Sequence, residues 1–125
     1  MSNEQSSRFI AIVDDDRSVQ TALQDLIESE GLSALCFGSA EQFLDSGAQH
    51  TAACLIADIR MPGMSGLELQ TKLKAERCRI PIIFVTAHGD LKMRTQAIRD
   101  GALQFLAKPF DHTVLLEAVH AALED

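Results

Sequence analysis

Five short apolar runs, 9–13, 33–37, 53–57, 80–85 and 103–106, recur along the chain, and segments with helical periodicity lie between and after them. This alternation is the feature that most narrows the choice of fold. The runs are rich in β-branched and aromatic residues at consecutive positions, so both faces of each need cover, as in strands buried within a parallel sheet. Val19, Ala22, Leu23, Leu26 and Ile27 fall at i, i+3, i+4, i+7 and i+8, and Leu115, Ala118, Val119 and Ala122 repeat most of that pattern. Right-handed crossovers between parallel strands place helices on both sides of a sheet, which predicts an open, doubly wound α/β sandwich. At 125 residues with 46% apolar content, one domain can bury its own core. We assign 9–125 to that domain and 1–8 to a polar N-terminal tail.

Helix starts are marked by side chains that satisfy free backbone amides. Ser39 with Gln42 and Ser65 with Glu68 have the spacing of capping boxes, and Asp16 and Asp111 are expected to cap the first and last helices. The segment 90–100 is the weakest helix on periodicity, with Met93 and Ala97 on one face, but Gly89 and Gly101 bracket it.

Eighteen acidic against eleven basic residues leave a net charge of −7, which repels phosphate backbones and argues against direct nucleic-acid contact. No apolar stretch approaches the roughly 20 residues needed to cross a bilayer, and the stretch MSNEQSS lacks the basic-then-apolar pattern of a signal peptide. The expected location is the cytoplasm, away from membranes. Cys36, Cys54 and Cys78 form no metal or disulfide pattern and read as free thiols, with Cys36 and Cys54 buried.

In open parallel sheets, ligands bind beyond the carboxyl ends of the strands. The polar residues expected there are Asp14, Asp15 and Asp16 after the first strand, Ser39 after the second, Asp58 after the third, Thr86 after the fourth and Lys108 after the fifth. Carboxylates gathered at one edge repel one another unless a cation joins them, and hard oxygen ligands favour Mg²⁺ or Mn²⁺. Mg²⁺ with few protein ligands completes its shell with water and phosphate, which makes the substrate a phosphoryl group. Thr86 and Lys108 supply a hydroxyl and an ammonium for phosphoryl oxygens, and Asp58, alone on its strand end, is the natural nucleophile. No GxxxxGK[ST] or GxGxxG loop follows a strand, so the phosphoryl donor must come from elsewhere.

IVDDD at 12–16, DIRMPGMSG at 58–66, FVTAHGD at 84–90 and FLAKPF at 105–110 resemble, in order and spacing, the receiver domain of two-component response regulators, in particular the FixJ-like subgroup. The resemblance implies a flavodoxin-like (βα)5 receiver fold with strand order 2-1-3-4-5 and Asp58 as phosphoacceptor. It implies Mg²⁺ held by Asp14, Asp15, Asp58 and the backbone carbonyl of Arg60, with Thr86 as switch hydroxyl, Lys108 as phosphate ligand and Phe105 as a coupled aromatic. It also implies a cis Lys108–Pro109 bond, a sensor histidine kinase as partner, and a fourth-helix and fifth-strand face that forms a homodimer on phosphorylation. Lys92, Arg94 and Arg99 give that helix a basic character suited to such a face. Receivers of this subgroup usually precede a DNA-binding domain, which implies control of transcription through a segment absent from this chain.

Two readings compete with this phosphorelay role. One is a single-domain response regulator without DNA output. The other is a haloacid-dehalogenase-like phosphohydrolase using Asp14, since Asp14-x-Asp16 followed by Ser18 resembles that family's first motif; it leaves Asp58 without a task and lacks a later acidic pair. The chain is therefore expected not to be a turnover enzyme but to assist its own phosphorylation and dephosphorylation. Arg60 and His88, each two residues beyond a site residue, are expected to restrict water's approach to the aspartyl phosphate. His50, His112 and His120 read as surface residues.

Overall fold

A computed structural model describes residues 8–87 and 89–124. Five strands, β1 (Phe9–Val13), β2 (Ser33–Phe37), β3 (Cys54–Ala57), β4 (Ile82–Thr86) and β5 (Gln104–Ala107), alternate with five helices. The helices are α1 (Arg17–Ser29), α2 (Ala40–Ser46), α3 (Gly66–Ala75), α4 (Leu91–Arg99) and α5 (His112–Glu124), with a short 3₁₀ turn at Ala48–His50 before β3. All strand pairs are parallel, in the expected order β2-β1-β3-β4-β5.

The period-2 alternation of strand side chains divides the apolar runs between two cores. Ala11, Val13, Leu55, Ala57, Phe84 and Phe105 face one way, packed with Phe43 of α2, Leu69 and Leu73 of α3 and Ala97 of α4. Ile10, Ile12, Cys54, Ile56, Ile83 and Val85 face the other way, against Leu23 and Ile27 of α1 and Leu115 and Val119 of α5. The strand runs are apolar at consecutive positions where a strand feeds both layers, as in β1 and β3.

Strand boundaries differ from the sequence reading by one or two residues. β3 starts at Cys54 rather than at 53, and β5 runs one residue later than 103–106. β4 starts at Ile82 rather than at 80, because Pro81 has no N–H for the ladder. At its other end β4 runs one residue past the apolar run, so Thr86, paired with Ala107, is the last residue of the strand and not the first residue beyond it. Ser65 and Glu68 form the full capping box. At α2 the box is incomplete: Ser39 accepts from the Gln42 amide, but Gln42 Oε1 reaches one residue further back and accepts from Gly38 N at 3.0 Å. Asp90 caps α4 and Asp111 accepts from the Thr113 and Val114 amides at the start of α5, so both helices are closed by carboxylates.

All three cysteines are free. Cys54 is buried and its thiol is pushed up to about 12 by that burial, but Cys36 is only half-buried: it packs beside α1 on β2, the edge strand, which has a strand neighbour on one side alone. Residues 1–7 of the expected tail lie outside the described residues; Arg8 donates to the Leu123 carbonyl at 2.7 Å, which ties the start of β1 to the end of α5. Among the described residues no helix is long and apolar enough to cross a membrane.

Candidate functional site

Sheet register brings the site residues together. Val13 pairs with Ala57, so the residues that follow, Asp14 and Asp58, leave neighbouring strands side by side. The Asp14 amide donates to Phe37 O and the Asp58 amide to Val13 O, which fixes both backbones as they leave the sheet. Thr86 pairs with Ala107 and its carbonyl accepts from Lys108 N at 2.9 Å, so Lys108 emerges at the same edge. Its Nζ lies 3.0 Å from Asp14 Oδ2 and 3.2 Å from Asp58 Oδ2. The bond between Lys108 and Pro109 is cis.

Asp14, Asp58 and Thr86 are 2%, 7% and 0% exposed, an unusual concentration of polar groups inside a sheet edge. Asp15 is exposed, yet oxygens of Asp14, Asp15 and Asp58 all lie within 4.8 Å of one another. Burial pushes the Asp14 carboxyl above its ordinary range, opposed by hydrogen bonds from the Asp16 amide and Lys108. Burial alone would lower the Lys108 ammonium, but its hydrogen bond to Asp14 and the charges of Asp14 and Asp58 outweigh that and hold it raised. Three carboxylates against this ammonium leave a formal excess of negative charge, and every donor is a hard oxygen. That donor set fits Mg²⁺ or Mn²⁺.

The other expected site residues are placed as follows. Arg60 is exposed in the loop after Asp58. Phe105 is 7% exposed, with its ring centroid 6.3 Å from that of Phe84, and a side chain at position 89 would meet both its ring and the Thr86 methyl. His88 lies outside the described residues. Asp16 caps α1: its Oδ1 accepts from Ser18 N, Ser18 Oγ and Val19 N, and these bonds hold its carboxyl low. The second acid of the hydrolase-like pattern is thereby committed to a helix end. His50 and His112 are exposed, whereas His120 has a partner the sequence did not reveal, Glu30 Oε1 at 3.1 Å.

Two supporting residues escaped the sequence reading. Gln20 Nε2 donates to the Asp14 carbonyl at 2.6 Å, anchoring the turn into α1. Gly66 starts α3 so close to β3 that a Cβ would collide with the Asp58 carbonyl, while its amide donates to Ile59 O. A small residue at a helix start just after a site strand is a signal that could have flagged it. Gly66→Ala is expected to cost about 3 kcal/mol, since backbone rather than a side chain must yield; urea unfolding of the two proteins measures the difference.

The profile of the response regulator receiver domain matches residues 10–120. Response regulator protein TmoT of Ectopseudomonas mendocina is 48% identical over 122 residues, covering 98% of this chain and 55% of that protein. Transcriptional regulatory protein FixJ of Azorhizobium caulinodans is 41% identical over 114 residues, covering 91% and 54%. The crystal structure of FixJ-N superposes with a TM-score of 0.83 at 37% identity, over 94% of each chain. The chain thus spans about half the length of the curated relatives it matches. With the 2-1-3-4-5 sheet, the acidic edge and this match agreeing over nearly every residue, the chain belongs to the response regulator receiver domain family.

Proposed function

We propose that Asp58 accepts a phosphoryl group from the phosphohistidine of a sensor histidine kinase. A carboxylate oxygen of Asp58 attacks phosphorus, the P–N bond breaks, and the imidazole leaves and takes up a proton. The observation that carries this reading is the convergence of Asp14, Asp15, Asp58 and Lys108 at one sheet edge. Asp14, Asp15, Asp58 and the Arg60 carbonyl would hold Mg²⁺ or Mn²⁺. When bound, the ion neutralises charge that develops on the phosphoryl oxygens. Lys108, already drawn between two carboxylates, transfers a hydrogen bond to an incoming phosphoryl oxygen, which is cationic stabilisation in a largely preorganised site.

Thr86, at the end of β4, reads the added charge, and Phe105, packed close to it, carries the movement toward α4. The surface there has the features of a contact face: Leu91, Ile98 and Leu103 are 78%, 43% and 40% exposed beside Lys92, Arg94 and Arg99. Phosphorylation shifts this face toward a homodimer, and in the longer protein a DNA-binding segment converts dimerisation into control of transcription in the cytoplasm. Arg60, at the mouth of the site, limits water's access to the acyl phosphate. The domain assists its own phosphorylation and loss of phosphate without turning over a free substrate.

Acetyl phosphate tests the donor-independent half of this scheme. With Mg²⁺ the protein is expected to gain one phosphoryl group by intact mass, and chelation with EDTA before addition is expected to reduce labelling to background. Equal labelling with and without EDTA would remove the divalent ion from the account.

A further inference from the structure

We propose that Glu41, an exposed residue in the first turn of α2, positions the loop after Asp58 and thereby sets how tightly the acidic cluster holds Mg²⁺. The proposal rests on the reading of that cluster as a metal site. The grouped carboxylates are Asp14, Asp15 and Asp58, and Glu41 is bonded to the loop at Met64 N, so it acts through the loop.

The loop 59–65 has to lead from the end of β3 to the start of α3. Both of its ends are tied down. Ile59 N donates to Asp58 Oδ1 at 2.6 Å, Gly66 N donates to Ile59 O at 2.8 Å, and the Ser65–Glu68 box closes the far end. Ile59 and Met61 are buried in the core. Between Met61 and Ser65, Pro62 offers no amide donor and Gly63 sits at φ +79°, where glycine carries the turn without strain. Here Glu41 Oε2, from 23 residues earlier in the chain, accepts a hydrogen bond from Met64 N at 2.8 Å. The same oxygen lies against the Gly63 backbone, since a Cβ at position 63 would come within 2.7 Å of it. One carboxylate therefore fits into the turn and couples α2 to the loop that carries Arg60. The start of a helix favours a negative side chain, so the latch costs α2 nothing.

A loop held at 64 and at 59 has less freedom to move the Arg60 carbonyl. Releasing the Met64 bond spreads that carbonyl over more positions and weakens its contribution to binding. Calorimetric titration of the full 125-residue chain with Mg²⁺ tests this. Glu41→Ala is expected to weaken Mg²⁺ binding about tenfold, the size of one hydrogen bond to a charged group, with faster hydrogen exchange at the Met64 amide. Glu41→Gln keeps an acceptor oxygen and is expected to restore affinity to within about twofold of wild type. Gly63→Ala, which displaces the carboxylate without removing it, is expected to behave like Glu41→Ala. Wild-type affinity in Glu41→Ala, or a Glu41→Gln protein as weak as Glu41→Ala, overturns the proposal. Asp14→Asn separates the two levels. Loss of binding in Asp14→Asn with none in Glu41→Ala removes the latch alone, whereas unaltered binding in Asp14→Asn removes the metal-site reading and the latch with it.

Discussion

Replacing Lys108 by Met is expected to slow phosphorylation by acetyl phosphate by about 10²–10³-fold, the usual cost of removing one preorganised donor from developing negative charge. Met keeps much of the apolar stem and packs against the same neighbours, so the loss is one of charge. Lys108 Nζ now bridges Asp14 at 3.0 Å and Asp58 at 3.2 Å, and in its absence the two carboxylates face each other without that cation. Binding of Mg²⁺ is expected to survive, because all three carboxylates remain, which separates this variant from a loss of metal.

The same variant carries a pH signature. Burial already raises the Asp14 carboxyl above its ordinary value of 3.8, and Lys108 opposes that rise. An acid with a raised folded pKa binds more protons in the folded than in the unfolded state, so stability falls as pH increases through the window between the two values. Without Lys108 the window extends further up. Thermal melts of Lys108→Met in EDTA are therefore expected to decline between pH 4 and neutrality more than those of wild type; parallel curves would show that Asp14 and Lys108 are not coupled.

Asp58→Asn is expected to take no phosphoryl label at all from acetyl phosphate with Mg²⁺, while folding normally. Asn has the shape of Asp and its Oδ1 can still accept from Ile59 N, while the amide nitrogen that replaces Oδ2 no longer accepts from Lys108, which keeps its bond to Asp14. What disappears is the nucleophile. One of two carboxylates sharing a single ammonium is also gone, which relieves repulsion, so the melting temperature in EDTA is expected to equal or exceed that of wild type. Intact mass and a thermal melt on the same preparation distinguish a lost nucleophile from a lost fold. Label at the wild-type level would place the phosphoryl group on another residue.

The architecture could be read from sequence because the three central strands feed two cores, which makes their runs apolar at consecutive positions and hard to mistake for amphipathic strands. Strand ends were less legible: Pro81 delays the start of β4, and at the far end pairing with Ala107 carries the strand on to Thr86. Asp14, Asp58 and Lys108 could be grouped because register, not chance, delivers the residue after each strand to one edge. The support around them was hidden for a different reason. Glu41 meets Met64, and Gln20 meets the Asp14 carbonyl, through backbone groups whose positions only the folded chain defines. His120 and Glu30 are 90 residues apart and join two helices on one face of the sheet, a pairing no local pattern signals.

The central claim is that the phosphoryl group resides on Asp58, and the chain's own arginines make it easy to locate. Trypsin cuts after Arg8, Arg17 and Arg60, so Asp14, Asp15 and Asp16 fall in the peptide 9–17 and Asp58 in the peptide 18–60. Borohydride reduction of the acyl phosphate marks the acceptor as homoserine before digestion. The mark is expected in 18–60, with fragmentation placing it at position 58; a mark in 9–17 would contradict the account and place the nucleophile among Asp14, Asp15 and Asp16.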